Sequence, residues 1–421
     1  MFNYVVLAVS LTCSSLILAN SILFHFTVIC IEAENGSFND SSENALFNTT
    51  EESWIFAVLS FGRLLAVWPV LGAVDRFGLQ RTFASFGLIS GLSTFLTPFG
   101  GYSFWYMLIG VSIPSVFVAL GSIPRAWAGP EDNGRFISIL GCCYQIAPIL
   151  TMSLSGFFCT SKCGWQGVYY LFGSATVLGS LGFYYIYSET PKEDKKESSA
   201  ENFSTVPYKQ VFMCKPVWGL WIMALGDAFG HQVFLMYGPT FMNKVLNYSI
   251  ADTGILAALP FLLTIFAKYI GGLFLDKTTL PSVNLKFKSF ISIFHALMTL
   301  SFVFVILLSG VSPALAQLAF TCVVLYSGLF NVGLFAGSQI VARHFAYVLT
   351  VVFSIEIGLA TLILPKLVAV FVPNNATNEW NSLFFIISGT MLICNAAFLA
   401  LTRIEPAFWV DDSKTLTNSD L

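Results

Sequence analysis

Gly72-Ala73-Val74-Asp75-Arg76-Phe77-Gly78-Leu79-Gln80-Arg81 is a short polar hairpin set between long apolar segments. Gly72 lets two helices approach closely, and Asp75 sits beside the basic Arg76 and Arg81 at a helix end. Gly78 then permits the tight turn into the next helix. About 200 residues later a weaker copy follows as Gly271-Gly272-Leu273-Phe274-Leu275-Asp276-Lys277. Two such hairpins at equivalent places in a hydrophobic chain indicate internal duplication.

The surrounding composition excludes an ordinary soluble protein. Hydrophobic residues make up 56% of the chain and charged residues 10%, with a mean hydropathy of +0.76. A soluble domain carries about 25% charged residues. The 42 Phe suit lipid-facing and packing surfaces. A net charge of −3 offers no basic patch for nucleic acid.

Apolar runs near 4–31, 53–74, 82–99, 104–124, 136–158 and 166–188 form a first set of six spans. A second set lies near 216–240, 253–275, 288–309, 312–337, 346–372 and 381–402. The first run is too long for a signal peptide's apolar region and lacks a basic segment before it. The sequence therefore predicts an all-α membrane protein of twelve transmembrane helices in two pseudo-symmetric six-helix halves, residues 1–188 and 216–402. A charged, Ser-rich cytoplasmic linker over 189–215 joins them, and 403–421 form a cytoplasmic tail. Pro69, Pro239 and Pro260 fall within spans and are expected to kink them.

Orientation follows from two signals. With both termini cytoplasmic, nearly all loop cations, among them Arg76, Arg81, Lys192, Lys209, Lys277 and Arg403, face inside; Lys162, Lys244 and Lys366 face outside. The glycosylation acceptors Asn35, Asn39, Asn48, Asn247 and Asn375 then all face outside, and only the sequon at Asn202 faces inside. Six of the nine Cys, Cys30 included, lie in apolar spans and read as small hydrophobes. Cys159 and Cys163 flank a short outer loop, where a local disulfide is one of two outcomes left open.

An ionisable group at bilayer depth is costly and marks a functional candidate. These are Arg63 in the second span, Asp227 and His231 in the seventh, Lys268 in the eighth and Glu356 in the eleventh, with His25 and His295 behind them. Each has a plainer reading. Asp227 and His231, four apart on one helix face, form either a proton-carrying pair or a mutually satisfied one. Lys268 lies nearer a helix end, where it can snorkel. Glu356 either lines a cavity or pairs with a base. Arg63 sits too deep to snorkel and reads as an anion ligand, with Asp227 as its resting counter-charge.

Several stretches carry a family resemblance. They are the first hairpin, Trp127-Ala128-Gly129-Pro130 with Arg135, Leu154-Ser155-Gly156, Gly164-Trp165 with Tyr169-Tyr170, Pro216-Val217-Trp218, Pro239-Thr240-Phe241, Thr253-Gly254 through Leu259-Pro260, and Glu379-Trp380. Their order and spacing resemble the anion–cation symporter branch of the major facilitator superfamily. That branch holds sodium–phosphate cotransporters, sialin and the vesicular glutamate transporters. The resemblance implies the major facilitator fold and secondary transport by alternating access. It makes Gly72, Asp75, Arg76, Gly78 and Arg81 a gating hairpin, with Gly272, Asp276 and Lys277 as its counterpart.

The chain departs from that pattern at the family's chemistry. Glutamate-transporting relatives place an arginine and a glutamate on the fourth helix where this chain has Tyr106 and Ile113. Their second-helix histidine and seventh-helix arginine correspond to Phe56 and Asp227. The expected activity is thus transport of a small organic or inorganic anion coupled to protons or sodium. The alternative is a non-transporting sensor or scaffold that keeps the fold. Either would reside in the plasma membrane or a vesicle or lysosome membrane. No metal, nucleotide or redox cofactor is implied, and no nucleophile–base spacing suggests an enzyme.

Overall fold

Long apolar segments can satisfy their own backbone in lipid only as helices or closed barrels. The computed structural model describes residues 2–36, 49–127, 136, 139–188, 208–278, 280–343 and 346–410, and its long segments are helices. In chain order these are α1 (Phe2–Gly36), α2 (Thr49–Leu96), α3 (Tyr102–Trp127), α4 (Cys143–Thr160), α5 (Gly164–Ile186), α6 (Tyr208–Met213) and α7 (Lys215–Lys244). They continue with α8 (Ile250–Lys277), α9 (Val283–Leu308), α10 (Pro313–Ala342), α11 (Ala346–Phe371) and α12 (Thr377–Leu401).

The second and third predicted spans are one assigned helix, α2, broken at Gly78, whose φ of 79° is open to glycine and costly for other residues. The hairpin reading is right at that residue. The linker was expected to lack structure as far as Lys215, yet its last residues form α6. Asn39, Asn48 and residues 189–207 lie outside the described residues, as do the side chains of Asn35, Asp75 and Asp276.

By length and composition, ten helical segments among the described residues can cross a bilayer. The two that fall short, α5 and α7, are the right length, at about 34 and 45 Å. Their polar residues are turned into protein instead of lipid. Asn20 of α1 donates to Ser90 at 2.9 Å and to Thr176 of α5 at 3.0 Å. Asp227 and Gln232 of α7 are likewise buried.

α1 to α5 pack with one another, and α7 to α12 do the same, giving twelve spans in two six-helix halves. The halves meet chiefly along three seams, α4 with α8, α2 with α11, and α1 with α7. At the α4–α8 seam two motif glycines cross: a Cβ on Gly156 would lie 3.0 Å from the Gly254 Cα. Only glycine allows backbones that close. At the α2–α11 seam Ser60 donates to Thr361 at 2.8 Å. The α1–α7 seam is aromatic, with Phe56 of α2 edge-on to Tyr237 of α7 at 5.2 Å.

These contacts lie toward the end of the bundle that carries Asn247 and Asn375, the sequon end, or at mid-depth. Toward the opposite, hairpin end, a Cβ on Gly72 or Gly272 would meet nothing within 4 Å. The close approach expected at Gly72 is therefore absent from this conformation, which is shut at the sequon end.

The cysteine expectations are corrected. Cys30, at the sequon end of α1, forms a disulfide with Cys159 of α4, while Cys163 is a free, exposed thiol. Cys30 belongs to an apolar run, but that run carries it to the bundle's rim beside the end of α4.

Candidate functional site

α7 brings Asp227 and His231 to one face, and α10 answers with Ser327 and Asn331, also four apart. The Asn331 amide donates to Asp227 Oδ2 at 3.2 Å and to the Ser327 carbonyl at 2.9 Å. The Ser327 hydroxyl lies 3.3 Å from His231 Nδ1 and accepts from the Asn331 amide at 3.5 Å. Asp227 and His231 are thus linked through Asn331 and Ser327 and not bonded to each other, unlike the mutually satisfied pair the sequence allowed. Asp227 Oδ1 remains buried and without a hydrogen-bond partner.

Lys268 does not snorkel to the helix end. Its stem runs past Gly328 of α10, where a Cβ would lie 3.5 Å from Lys268 Cε. Its ammonium is within electrostatic reach of Asp227 and His231 in its own half. It also reaches Cys142 and Cys143, which belong to the other half.

Arg63 is 8% exposed. Gly62 beside it presses against α3, since a Cβ there would overlap the Met107 carbonyl. The guanidinium carbon stands 5.9 Å from the Phe117 ring centroid, a cation–π contact, and Tyr144 of α4 is within electrostatic reach. Arg63 Nε is buried without a hydrogen-bond partner. Among the described residues no ion pair joins Arg63 to Asp227, contrary to the counter-charge expectation; the cation within electrostatic reach of Asp227 is Lys268.

The other candidates are dispersed. Tyr106 is buried inside the first half, its hydroxyl 3.1 Å from that of Tyr169, which in turn lies 2.8 Å from Thr27. Glu356 is 8% exposed, with Oε2 unpartnered, and sits within electrostatic reach of Cys394 on α12. Two residues on, Gly358 abuts Arg63, a Cβ there lying 3.5 Å from Arg63 Cδ. His295 is fully buried with both ring nitrogens unpartnered. Arg76, Arg81 and Lys277 are exposed at the hairpin end. A cavity of about 620 Å³ between α9 and α12, lined by Asn284, Lys288 and Ser292 among others, contains none of these groups.

Sequence reasoning missed Ser327, Asn331, Phe117 and Tyr144. The polar pair at i, i+4 in an otherwise apolar α10 was the available signal for the first two. Nothing local marks Phe117 or Tyr144.

With this arrangement in hand, comparison with known proteins is decisive for the family. Residues 1–355 match the Major Facilitator Superfamily. The chain belongs to this superfamily. It is a multi-pass integral membrane protein with the major facilitator fold. This major facilitator is similar to sodium-dependent phosphate transport protein 1 of Mus musculus, at 23% identity over 96% of this chain and 94% of that one. It is also similar to sialin of Homo sapiens, at 19% identity over 88% of this chain and 79% of that one. Its fold matches a crystal structure of a D-xylose–proton symporter with a TM-score of 0.74 and 13% identity, covering 96% of this chain and 98% of that one.

Proposed function

We propose that this major facilitator is a secondary active transporter of a small anion, working by alternating access. The observation that carries the reading is that two cations from opposite halves both lie within electrostatic reach of residues 142–144, at the start of α4. Arg63 is within electrostatic reach of Tyr144, and Lys268 of Cys142 and Cys143. An anion held there would touch both halves, so its binding would bear on how they rock. Arg63 would grip a carboxylate or phosphate with two parallel hydrogen bonds, and Lys268 would supply a second, point-like charge. Asp227, linked through Asn331 and Ser327 to His231, is the acidic group that would take the coupling proton or sodium ion. The phosphate transporter and sialin among its relatives support an anionic substrate.

The test is uptake of labelled phosphate and of labelled organic carboxylates into vesicles carrying the protein, under imposed pH or sodium gradients. Gradient-dependent uptake of at least one anion is expected. Uptake of none, by correctly inserted protein, would leave the scaffold alternative standing.

The proposed orientation puts both termini and the two hairpins in the cytoplasm and the sequon end outside. Asn247, exposed with φ of 58°, and Asn375, with φ of 54°, occupy turns at that end. We expect glycan on at least one of Asn35, Asn39 and Asn48 and none on Asn202. A mobility shift that survives loss of the three early sites but vanishes in Asn202→Gln would reverse the orientation.

A further inference from the structure

One face of α9 carries a polar stripe at the hairpin end of the second half. Asn284, Lys288 and Ser292 follow one another at four-residue spacing, with Ser289 beside them. Together with Leu285, Ile293 and, from α12, Leu399, they line the cavity of about 620 Å³ between the two helices. That volume falls within the roughly 300–1,000 Å³ of cavities that hold small organic ligands. Among the described residues that line it there is a cation, Lys288, and no acidic side chain.

The polar groups at the base of this cavity are of two kinds. Some hold the walls together: Ser292 donates to Asn395 Oδ1 of α12 at 2.7 Å, and Asn284 Oδ1 accepts the Ile404 N–H at 2.8 Å. Others are donors without a hydrogen-bond or ion-pair partner among the described residues. These are the Asn284 amide, the Lys288 ammonium and the Ser289 hydroxyl. Ser289 departs from its neighbours in α9, because Thr299 and Ser301 each return their hydroxyl to the carbonyl four residues back, both at 2.9 Å.

The level of the cavity and its rim decide what it fits. Lys288 lies about 7 Å along the axis from the start of α9, where the headgroup layer meets the acyl chains. Leu285, Ile293 and Leu399 are exposed, so the rim faces lipid. A solute arriving from water would gain little from such a rim. A phospholipid matches both parts, with a phosphate for the donors and acyl chains for the rim.

We propose that the α9–α12 cavity binds the headgroup of an anionic phospholipid: Lys288 pairs with the phosphate, Asn284 and Ser289 donate to its oxygens, and the rim takes the first carbons of the acyl chains. The site is separate from Arg63 and Lys268 and does not depend on what the protein transports. Asn284 also holds Ile404, and the segment that follows packs on the second half, with the Ala407 N–H donating to the Val341 carbonyl at 3.0 Å and Trp409 buried. A lipid seated there therefore joins α9, α12 and the segment after α12 into one unit.

The test offers full-length protein in detergent micelles equal amounts of phosphatidylglycerol and phosphatidylcholine with identical acyl chains, and reads the retained lipid by native mass spectrometry. The parent is expected to retain phosphatidylglycerol in preference. Lys288→Gln should lower that preference roughly fivefold, the share of one interfacial cation. Lys288→Arg should keep it, and so should Lys366→Gln, which removes an exposed cation near the other end of the bundle. No preference in the parent, a preference unmoved by Lys288→Gln, or one lowered equally by Lys366→Gln would overturn the site. So would displacement of the lipid by millimolar inorganic phosphate, which would give the donors to a free anion.

Discussion

Arg63→Gln is expected to cut anion uptake by at least about 100-fold while the protein still reaches the membrane, the loss that follows when a bidentate charged contact is removed. Arg63 is buried, and among the described residues it has an aromatic ring and a tyrosine for neighbours but no paired carboxylate. An unpaired buried charge costs several kcal/mol, so a chain that keeps one needs a compensating partner. On the proposed reading, a bound anion is that partner. Gln is smaller than Arg but keeps the chain as far as Cδ, the atom that packs near Gly358, so the variant is expected to fold. Arg63→Lys retains the charge but loses the planar fork, and a loss of about tenfold is expected. Normal uptake by Arg63→Gln, at normal surface level, would remove Arg63 from the site.

The second large effect concerns Lys268 and Asp227. Asp227→Asn removes the carboxylate within electrostatic reach of the Lys268 ammonium, and Lys268→Met leaves that carboxylate with only its Asn331 hydrogen bond. Each is expected to destabilise the second half by roughly 1–3 kcal/mol, less than for a fully buried pair because Lys268 is only half-buried. The double variant removes both charges and should recover most of the lost surface protein while transport stays absent. Double-variant stability no better than that of the worse single would mean that the two groups do not compensate one another. Recovery of transport together with surface level would make the pair purely structural.

Much of the fold was legible because membrane helices are written locally, in run length, in loop cations and in a glycine such as Gly78 whose conformation few other residues accept. The charged candidates were equally legible as a set, since Arg63, Asp227, His231, Lys268 and Glu356 each stand out against an apolar span. Their partners were not. Whether Asp227 meets Arg63 or Lys268 depends on how α7 is rotated and which neighbours flank it, and the sequence of α7 alone does not encode that. The same gap hid the mate of Cys30, whose partner lies 129 residues away and is set by the order of helices around the bundle. Gly72 and Gly272 show a further limit. One conformation leaves them facing space, so a glycine read as a close-contact residue can belong to a state other than the one seen.

The Cys30–Cys159 bond joins the two helices through which the first half makes two of its seams. α1 packs along α7, and α4 bears Gly156, which crosses Gly254. Neither Cys belongs to the second half, so the bond does not restrain rocking itself. On the alternating-access reading it makes the two seams mechanically dependent: the rims of α1 and α4 would travel together, and the sequon end would part along a single front. In Cys159→Ser the rims can separate one after the other, so probes on α1 and α4 would report two opening rates where the intact protein gives one.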